Sequence, residues 1–391
     1  MNFNTNIDYS NNSKNVFNSN INNEIYILKN DVINKHSLCR IYNYGNNCYM
    51  NSGLQIISRC DKFIEWINNS HYPKKECPFF NLLKHSLNKI LYSEEFDPKN
   101  FMDYFHSIYK DFTPDSLYCS QLFIKTVIIN INEEILKYIH NYKIKNPNII
   151  VDYIHNYNPN NVEIDYYRKF LNSNNVFPQI IPYSYFSGII KTESTGKCNK
   201  CGEVKKYSFM EFFDQHIYLD TITTSSTDFE NVLKENLGYP IQIRSFCPKC
   251  KNTMQFKDIS KIIKLPEILV FTIERYIGET NSIPIKPNEI INVREYVEPS
   301  MNFINTIYSL FAINIRFGYS NKFGHQICQI KNGNSWYILN DMKKPKLGNI
   351  NDYNKNSYGL FYKVLINEGT NSINIKSLIT KEKNSKPFCI C

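Results

Sequence analysis

Cys48 stands at the end of Ile41-Tyr-Asn-Tyr-Gly-Asn-Asn-Cys48, and apolar residues recur at helical spacing directly after it (Tyr49, Met50, Gly53, Leu54, Ile57). A cysteine attacks as its thiolate, and the usual pKa of about 8.5 falls at a helix N-terminus, where unpaired N–H groups and the helix dipole favour negative charge. The sequence therefore predicts a nucleophile of lowered pKa. Gly45 allows a tight turn into the helix, and Asn43 can return a side-chain amide as an oxyanion donor. A lone cysteine ahead of a helix is more often a small buried apolar group, so the surrounding residues carry the argument.

Thiol catalysis also requires a histidine base and a third group that holds the imidazole in the useful tautomer. The chain has 8 histidines, and seven of them lie in segments without a partner pattern. His325 opens the run Gly324-His325-Gln-Ile-Cys-Gln-Ile330, followed by Lys331-Asn-Gly-Asn334 and Ser335-Trp-Tyr-Ile-Leu-Asn-Asp341. Asn-Gly between two strand-like runs is a strong hairpin signal. A two-residue Asn332–Gly333 turn sets His325 opposite Asn340, with Cβ atoms roughly 4.5 to 5.5 Å apart, and turns Asp341 to the other face. A longer loop would shift that register.

Cys198-Asn-Lys-Cys201 and Cys247-Pro-Lys-Cys250 form two C-x-x-C knuckles, a spacing at which four thiolates complete a closed tetrahedral Zn²⁺ site. Such a site has no open position, so its role is structural. The 46 positions from Cys201 to Cys247 exceed a compact zinc ribbon, and the intervening strands must bring the knuckles together. A nucleic-acid-binding ribbon and a disulfide-linked or empty site are the alternatives.

The elements that must position these groups follow from periodicity. Helical patterning continues at Phe79–Leu91, Phe101–Tyr109 and Gln121–Ile139. Residues 141 to 180 carry Asn146-Pro147, Asn158-Pro159 and Asn174-Asn175, which punctuate regular structure and predict an insertion or loop. Strand-like runs then follow at Tyr207–Leu219, Ile268–Ile273, Ile307–Arg316, Gln326–Ile330 and Trp336–Leu339. Helices first and strands afterwards predict an α+β fold.

At 391 residues, with 42% hydrophobic and 15% aromatic residues, the chain has material for a large core. No apolar run approaches the roughly 20 residues of a membrane span, and the polar start lacks a signal peptide's apolar segment, which predicts an intracellular protein, cytoplasmic or nuclear. Its 12 cysteines then read as metal-binding or catalytic thiols. The net charge of +9 comes from scattered lysines without a dense basic stripe, so no nucleic-acid partner is expected.

Taken together, these segments resemble the ubiquitin-specific proteases. The Cys48 stretch is similar to that family's cysteine box, N-x-G-N-T-C-Y-M-N-S-x-L-Q, with Asn47 where the family has Thr. The His325 segment resembles its histidine box, with Gln326 for Tyr and Leu339 for Phe, and Tyr358-Gly-Leu-Phe-Tyr362 resembles its closing strand. Phe186-Ser-Gly188, Leu265-Pro-Glu-Ile-Leu269 and Glu274-Arg-Tyr276 fit around the knuckles. The second helix departs most, with Leu117-Tyr-Cys-Ser-Gln-Leu-Phe-Ile124 in place of Q-Q-D-A-x-E-F-L.

The resemblance implies a papain-like α+β domain over about 36–366: a helical thumb (36–140), an insertion (141–182), zinc-tied β fingers (183–262) and a β-rich palm (263–366). It implies Cys48 as nucleophile, His325 as base, Asn340 as third member, Asn43 as oxyanion donor, Asp341 as a neighbouring acid, and Cys198, Cys201, Cys247 and Cys250 as zinc ligands. The substrate would be the bond after the C-terminal glycine of ubiquitin, and ubiquitin and ubiquitinated proteins the partners. The alternatives are a catalytically silent ubiquitin-binding scaffold and the same hydrolysis on another ubiquitin-like modifier. Residues 1–35 read as an Asn-rich leader and 367–391 as a flexible tail. Its terminal Cys389-Ile-Cys391 is similar to doubly prenylated Rab ends, which would bring membrane contact, but the GTPase fold that presents such tails is missing.

Overall fold

Helices α1 (Cys48–Ile57), α2 (Asp61–Asn69), α3 (Pro78–Tyr92), α4 (Lys99–Ile108) and α5 (Ser120–Tyr142) form where apolar side chains recur every three to four residues. The computed structural model describes residues 36–113, 116–142, 149–150, 166, 179–222, 228–275, 281–301, 305–318 and 324–365. The expected leader, the tail with Cys389 and Cys391, and most of the expected insertion lie outside the described residues.

The strands are β1 (Arg40–Ile41), β2 (Glu95–Phe96), β3 (Ile149–Ile150), β4 (Gln179–Ile180), β5 (Gly188–Cys198), β6 (Gly202–Phe212), β7 (Asp214–Tyr218), β8 (Ile241–Phe246), β9 (Thr253–Lys264), β10 (Ile268–Glu274), β11 (Ile290–Asn292), β12 (Ile307–Phe317), β13 (His325–Asn332), β14 (Ser335–Leu339), β15 (Lys346–Gly348) and β16 (Ser357–Val364). An eight-stranded sheet runs β15-β14-β13-β12-β16-β10-β7, with β11 also on β12. A second sheet, β6-β5-β9-β8, is wholly antiparallel. The stretch 207–219, read from sequence as one β segment, is two strands. It breaks at Phe213, so that β6 stays in the smaller sheet while β7 pairs in parallel with β10. The helix Phe229–Leu237 that follows β7 packs its buried Phe229, Val232 and Leu233 into the larger sheet's core.

Side-chain alternation on the central strands feeds two cores. Cys328, Ile330, Val270 and Phe361 join the helices' Leu54, Phe80, Phe105, Phe123 and Ile128 on one side. Ile327, Leu269, Phe271, Leu360 and Tyr362 join Phe229 and Val232 on the other. α1 packs against both β13 and α5 and is buried along its whole length. A helix surrounded in this way holds its first residue rigidly against the sheet, and that residue is Cys48.

Candidate active site and metal centre

The chain leaves β1, turns at Gly45 with φ 125°, a value that favours glycine, and enters α1 at Cys48. Opposite, β13 begins at His325, and its next residue, Gln326, donates its backbone N–H to Cys48 Sγ at 3.4 Å. Among the described residues, no hydrogen bond joins Cys48 to His325. The thiol is 2% exposed, and burial pushes its pKa up to about 11. The backbone N–H groups of Gln326, Tyr49 and Cys48 itself pull downward, while the Asp341 carboxylate adds to the rise. The sequence expectation of a lowered pKa is thus corrected: desolvation outweighs the helix terminus in the free protein.

His325 and Asn340 meet, with imidazole Nε2 2.9 Å from the Asn340 carboxamide Oδ1. An amide oxygen only accepts, so Nε2 carries the proton and Nδ1 keeps its lone pair. The register that led to this pair needs correction. Asn332 pairs with Ser335 and Cys328 with Leu339, so the turn is Gly333–Asn334 rather than Asn332–Gly333. Gly333, at the first central position, has φ 65°, as a type II′ turn requires. The shift moves His325 two positions past the partner of residue 340. Residues two apart share a face, so the pair remains a diagonal neighbour within reach.

Asp341 is also corrected. It does not turn away to the other face: β14 ends at Leu339, and Asp341 takes φ 46°, where strand alternation no longer applies. Its carboxylate Oδ2 accepts from Asn43 Nδ2 and its Oδ1 from Asn51 Nδ2, both at 2.7 Å. His325 Nε2 lies 3.9 Å from Oδ2. The backbone is pinned as well, with Ile41 N–H donating to Asp341 O at 3.1 Å.

Sequence reasoning passed over several groups here. Asn47, at the cap position of α1, and Asn51 and Gln55 within it stand four residues apart, a polar stripe legible in the sequence. All three are buried, and Gln55 Nε2 donates to Cys39 O at 2.7 Å. Gln326 Oε1 accepts from the Ser120 backbone N–H at 3.2 Å, and Ser120 Oγ donates to Tyr49 O at 2.9 Å. Ser120 and Gln326 therefore clasp α1, α5 and β13 where the second helix departs most from the family pattern.

The four knuckle cysteines converge, with all Sγ atoms within 4.8 Å of one another and Cys201 Sγ 3.5 Å from Cys247 Sγ. Antiparallel pairing of β5 with β9 brings the β5–β6 and β8–β9 tips together across the long sequence gap. Zn–S bonds of about 2.3 Å set tetrahedral sulfurs about 3.8 Å apart, so this group fits a metal of that size. Backbone N–H groups of Lys200 and Cys201 pull the Cys198 thiol down to about 7.

The fold is that of a ubiquitin hydrolase domain. The family model described as ubiquitin carboxyl-terminal hydrolase matches residues 39–362, and the chain belongs to that family. It is 25% identical over 354 residues to probable ubiquitin carboxyl-terminal hydrolase 4 of Schizosaccharomyces pombe, covering 82% of this chain and 58% of that protein. Identity to ubiquitin carboxyl-terminal hydrolase 4 of Arabidopsis thaliana is 24%, over 76% of this chain and 82% of that one. The chain spans only 34% of the length of Drosophila melanogaster Usp2, at 22% identity over 83% of this chain. Among solved structures it is similar in fold to the SAGA DUB module of Ubp8, Sgf11, Sus1 and Sgf73 bound to monoubiquitin, with TM-score 0.57 and 18% identity, over 84% of this chain and 70% of that one.

Proposed function

We propose that this chain is an intracellular thiol protease that hydrolyses the isopeptide or peptide bond after the C-terminal glycine of ubiquitin, with a Cys48–His325–Asn340 triad. The observation that carries the reading is the 2.9 Å bond from His325 Nε2–H to Asn340, because it leaves Nδ1 as the base. In the reaction Nδ1 takes the Cys48 proton and the thiolate attacks the glycine carbonyl. One N–H of Asn43 and the backbone N–H groups at the start of α1 stabilise the oxyanion. The carbonyl carbon–nitrogen bond breaks, and the imidazolium returns its proton to the departing amine. Water, deprotonated by His325, then hydrolyses the thioester and regenerates the thiol.

Zinc on Cys198, Cys201, Cys247 and Cys250 would tie the finger tips and take no part in the chemistry. The family match and a structural relative bound to monoubiquitin support ubiquitin and ubiquitinated proteins as partners. A catalytically silent ubiquitin-binding scaffold is the second reading, favoured by a thiol held near 11 without a bond to His325. Intact-mass analysis after incubation with ubiquitin and ubiquitin-like probes bearing a C-terminal electrophile separates them. Wild type should gain one ubiquitin probe and Cys48→Ala none; no adduct with any probe contradicts the enzyme, and adducts with another modifier alone change the substrate.

A further inference from the structure

We propose that Asn47 and Asn51 are positioning residues for the oxyanion donor Asn43, acting through the carboxylate of Asp341. The inference rests on the thiol-protease reading above and concerns how this chain supports the developing negative charge.

Asn43 has one acceptor and two N–H donors to satisfy. Its Oδ1 accepts from Gly45 N–H at 2.9 Å, and one N–H goes to Asp341 Oδ2 at 2.7 Å. The amide plane is thereby fixed and one N–H is left to point at a substrate oxygen. The anchor must itself stay still, and Asn51 holds it through its 2.7 Å bond to Asp341 Oδ1. The second N–H of Asn51 donates to Tyr42 O at 3.1 Å, and its Oδ1 accepts from Asn47 Nδ2 at 3.1 Å.

That last bond sets the orientation of the Asn51 amide. Flipped, Asn51 would aim its oxygen at the Asp341 carboxylate, acceptor against acceptor, and would lose its donor from Asn47. Asn47 is clamped in turn, donating to Tyr42 O at 3.2 Å and accepting from Tyr44 N–H at 2.6 Å. Both residues are nearly inaccessible, at 4% and 3% exposed, so each bond acts without competing water. A threonine at position 47 has a single donor and cannot serve Tyr42 O and Asn51 Oδ1 together.

Position 47 is also where a helix cap would sit. Its side chain makes no capping bond, and an ordinary cap there would occupy the N–H of Tyr49 or Met50. Asp341 lies 3.9 Å from His325 Nε2 but bonds Asn43 and Asn51 directly, so its first role is with the oxyanion donor.

The test is a double-mutant cycle on hydrolysis of a ubiquitin C-terminal fluorophore amide. Asn43→Ala should lower kcat by about 10²–10³. Asn51→Ala should lower it by roughly 10–10², with KM little changed, as expected for a displaced catalytic group. Asn47→Thr should fall in the same direction by less, and serves in place of Asn51→Ala should that variant not fold. In the Asn43→Ala background, the second substitution should change kcat by no more than about twofold.

A ubiquitin probe with a C-terminal alkyl bromide supplies the control. There Cys48 Sγ forms an S–C bond and expels bromide, with no oxyanion, so its labelling rate should stay close to wild type in every variant. Losses that multiply in the double variant, or labelling that falls in step with hydrolysis, would overturn the inference and leave the protease reading standing. Absence of turnover and labelling by the wild type would overturn both.

Discussion

Cys48 combines two opposed influences. The start of α1 and the Gln326 N–H favour a thiolate, while burial and the nearby Asp341 charge oppose it and win, with the thiol at about 11. The free protein therefore holds Cys48 as the protonated thiol. In site-resolved alkylation by iodoacetamide, the rate at Cys48 should then rise close to tenfold per pH unit from 7 to 9. A rate flat over that range would show a preformed thiolate. The place of Cys48 at the start of a helix was legible from the residue types around it, but its ionisation was not, since burial depends on α5 and β13, which are distant in sequence.

At the next scale stand the β13–β14 hairpin and the cysteine-bearing tips of the smaller sheet. From an Asn-Gly signal, the sequence pointed to His325 and Asn340 together, through a register off by two positions. The pairing survived because side chains two apart share a face, whereas the placement of Asp341 failed because the strand stops before it. The long helices and the strands at 268–274, 307–317 and 335–339 were legible because their periodicity is uninterrupted. The crossing of β7 into the larger sheet was not, as parallel pairing with β10 leaves no local signal.

At the finger tips, the apolar cluster contains only Cys198, Val204, Cys247, Met254 and Phe256, with Ile243 and Cys250 packed against it. On the proposed reading, a metal on the four cysteines would supply the stability that so small a core lacks. The purified chain should carry one zinc by elemental analysis. Chelation or Cys198→Ser should expose β8 and its partner β9 to amide hydrogen exchange while β12 and β16 stay protected. Metal-free protein with protected β8 amides would contradict this account.

Across the whole molecule, the proposed machinery is divided between the helices and the eight-stranded sheet, with Cys48 on one and His325 and Asn340 on the other. Their alignment depends on the packing of α1 against β13, and Cys39, Cys60, Cys77 and Cys328 are buried in the core that includes this contact, with Cys119 half-buried beside α5. Burial pushes Cys39 and Cys77 up to about 12 and Cys119 to about 11, and raises Cys60 and Cys328 further. A folded-state pKa raised above the unfolded value of about 8.5 leaves stability intact below that pH and removes it as pH rises beyond. The melting temperature should hold between pH 7 and 8, then fall by roughly 5 °C or more by pH 10. An unchanged value would show that these thiols are not buried as described.

The central claim is that Cys48 acts on the C-terminal carbonyl of ubiquitin. The most direct measurement is fluorophore release from a ubiquitin C-terminal amide by the zinc-loaded chain, with Cys48→Ala alongside. The account predicts turnover by the wild type and none above background by the variant. Equal release by both, or none by the folded wild type, would contradict it.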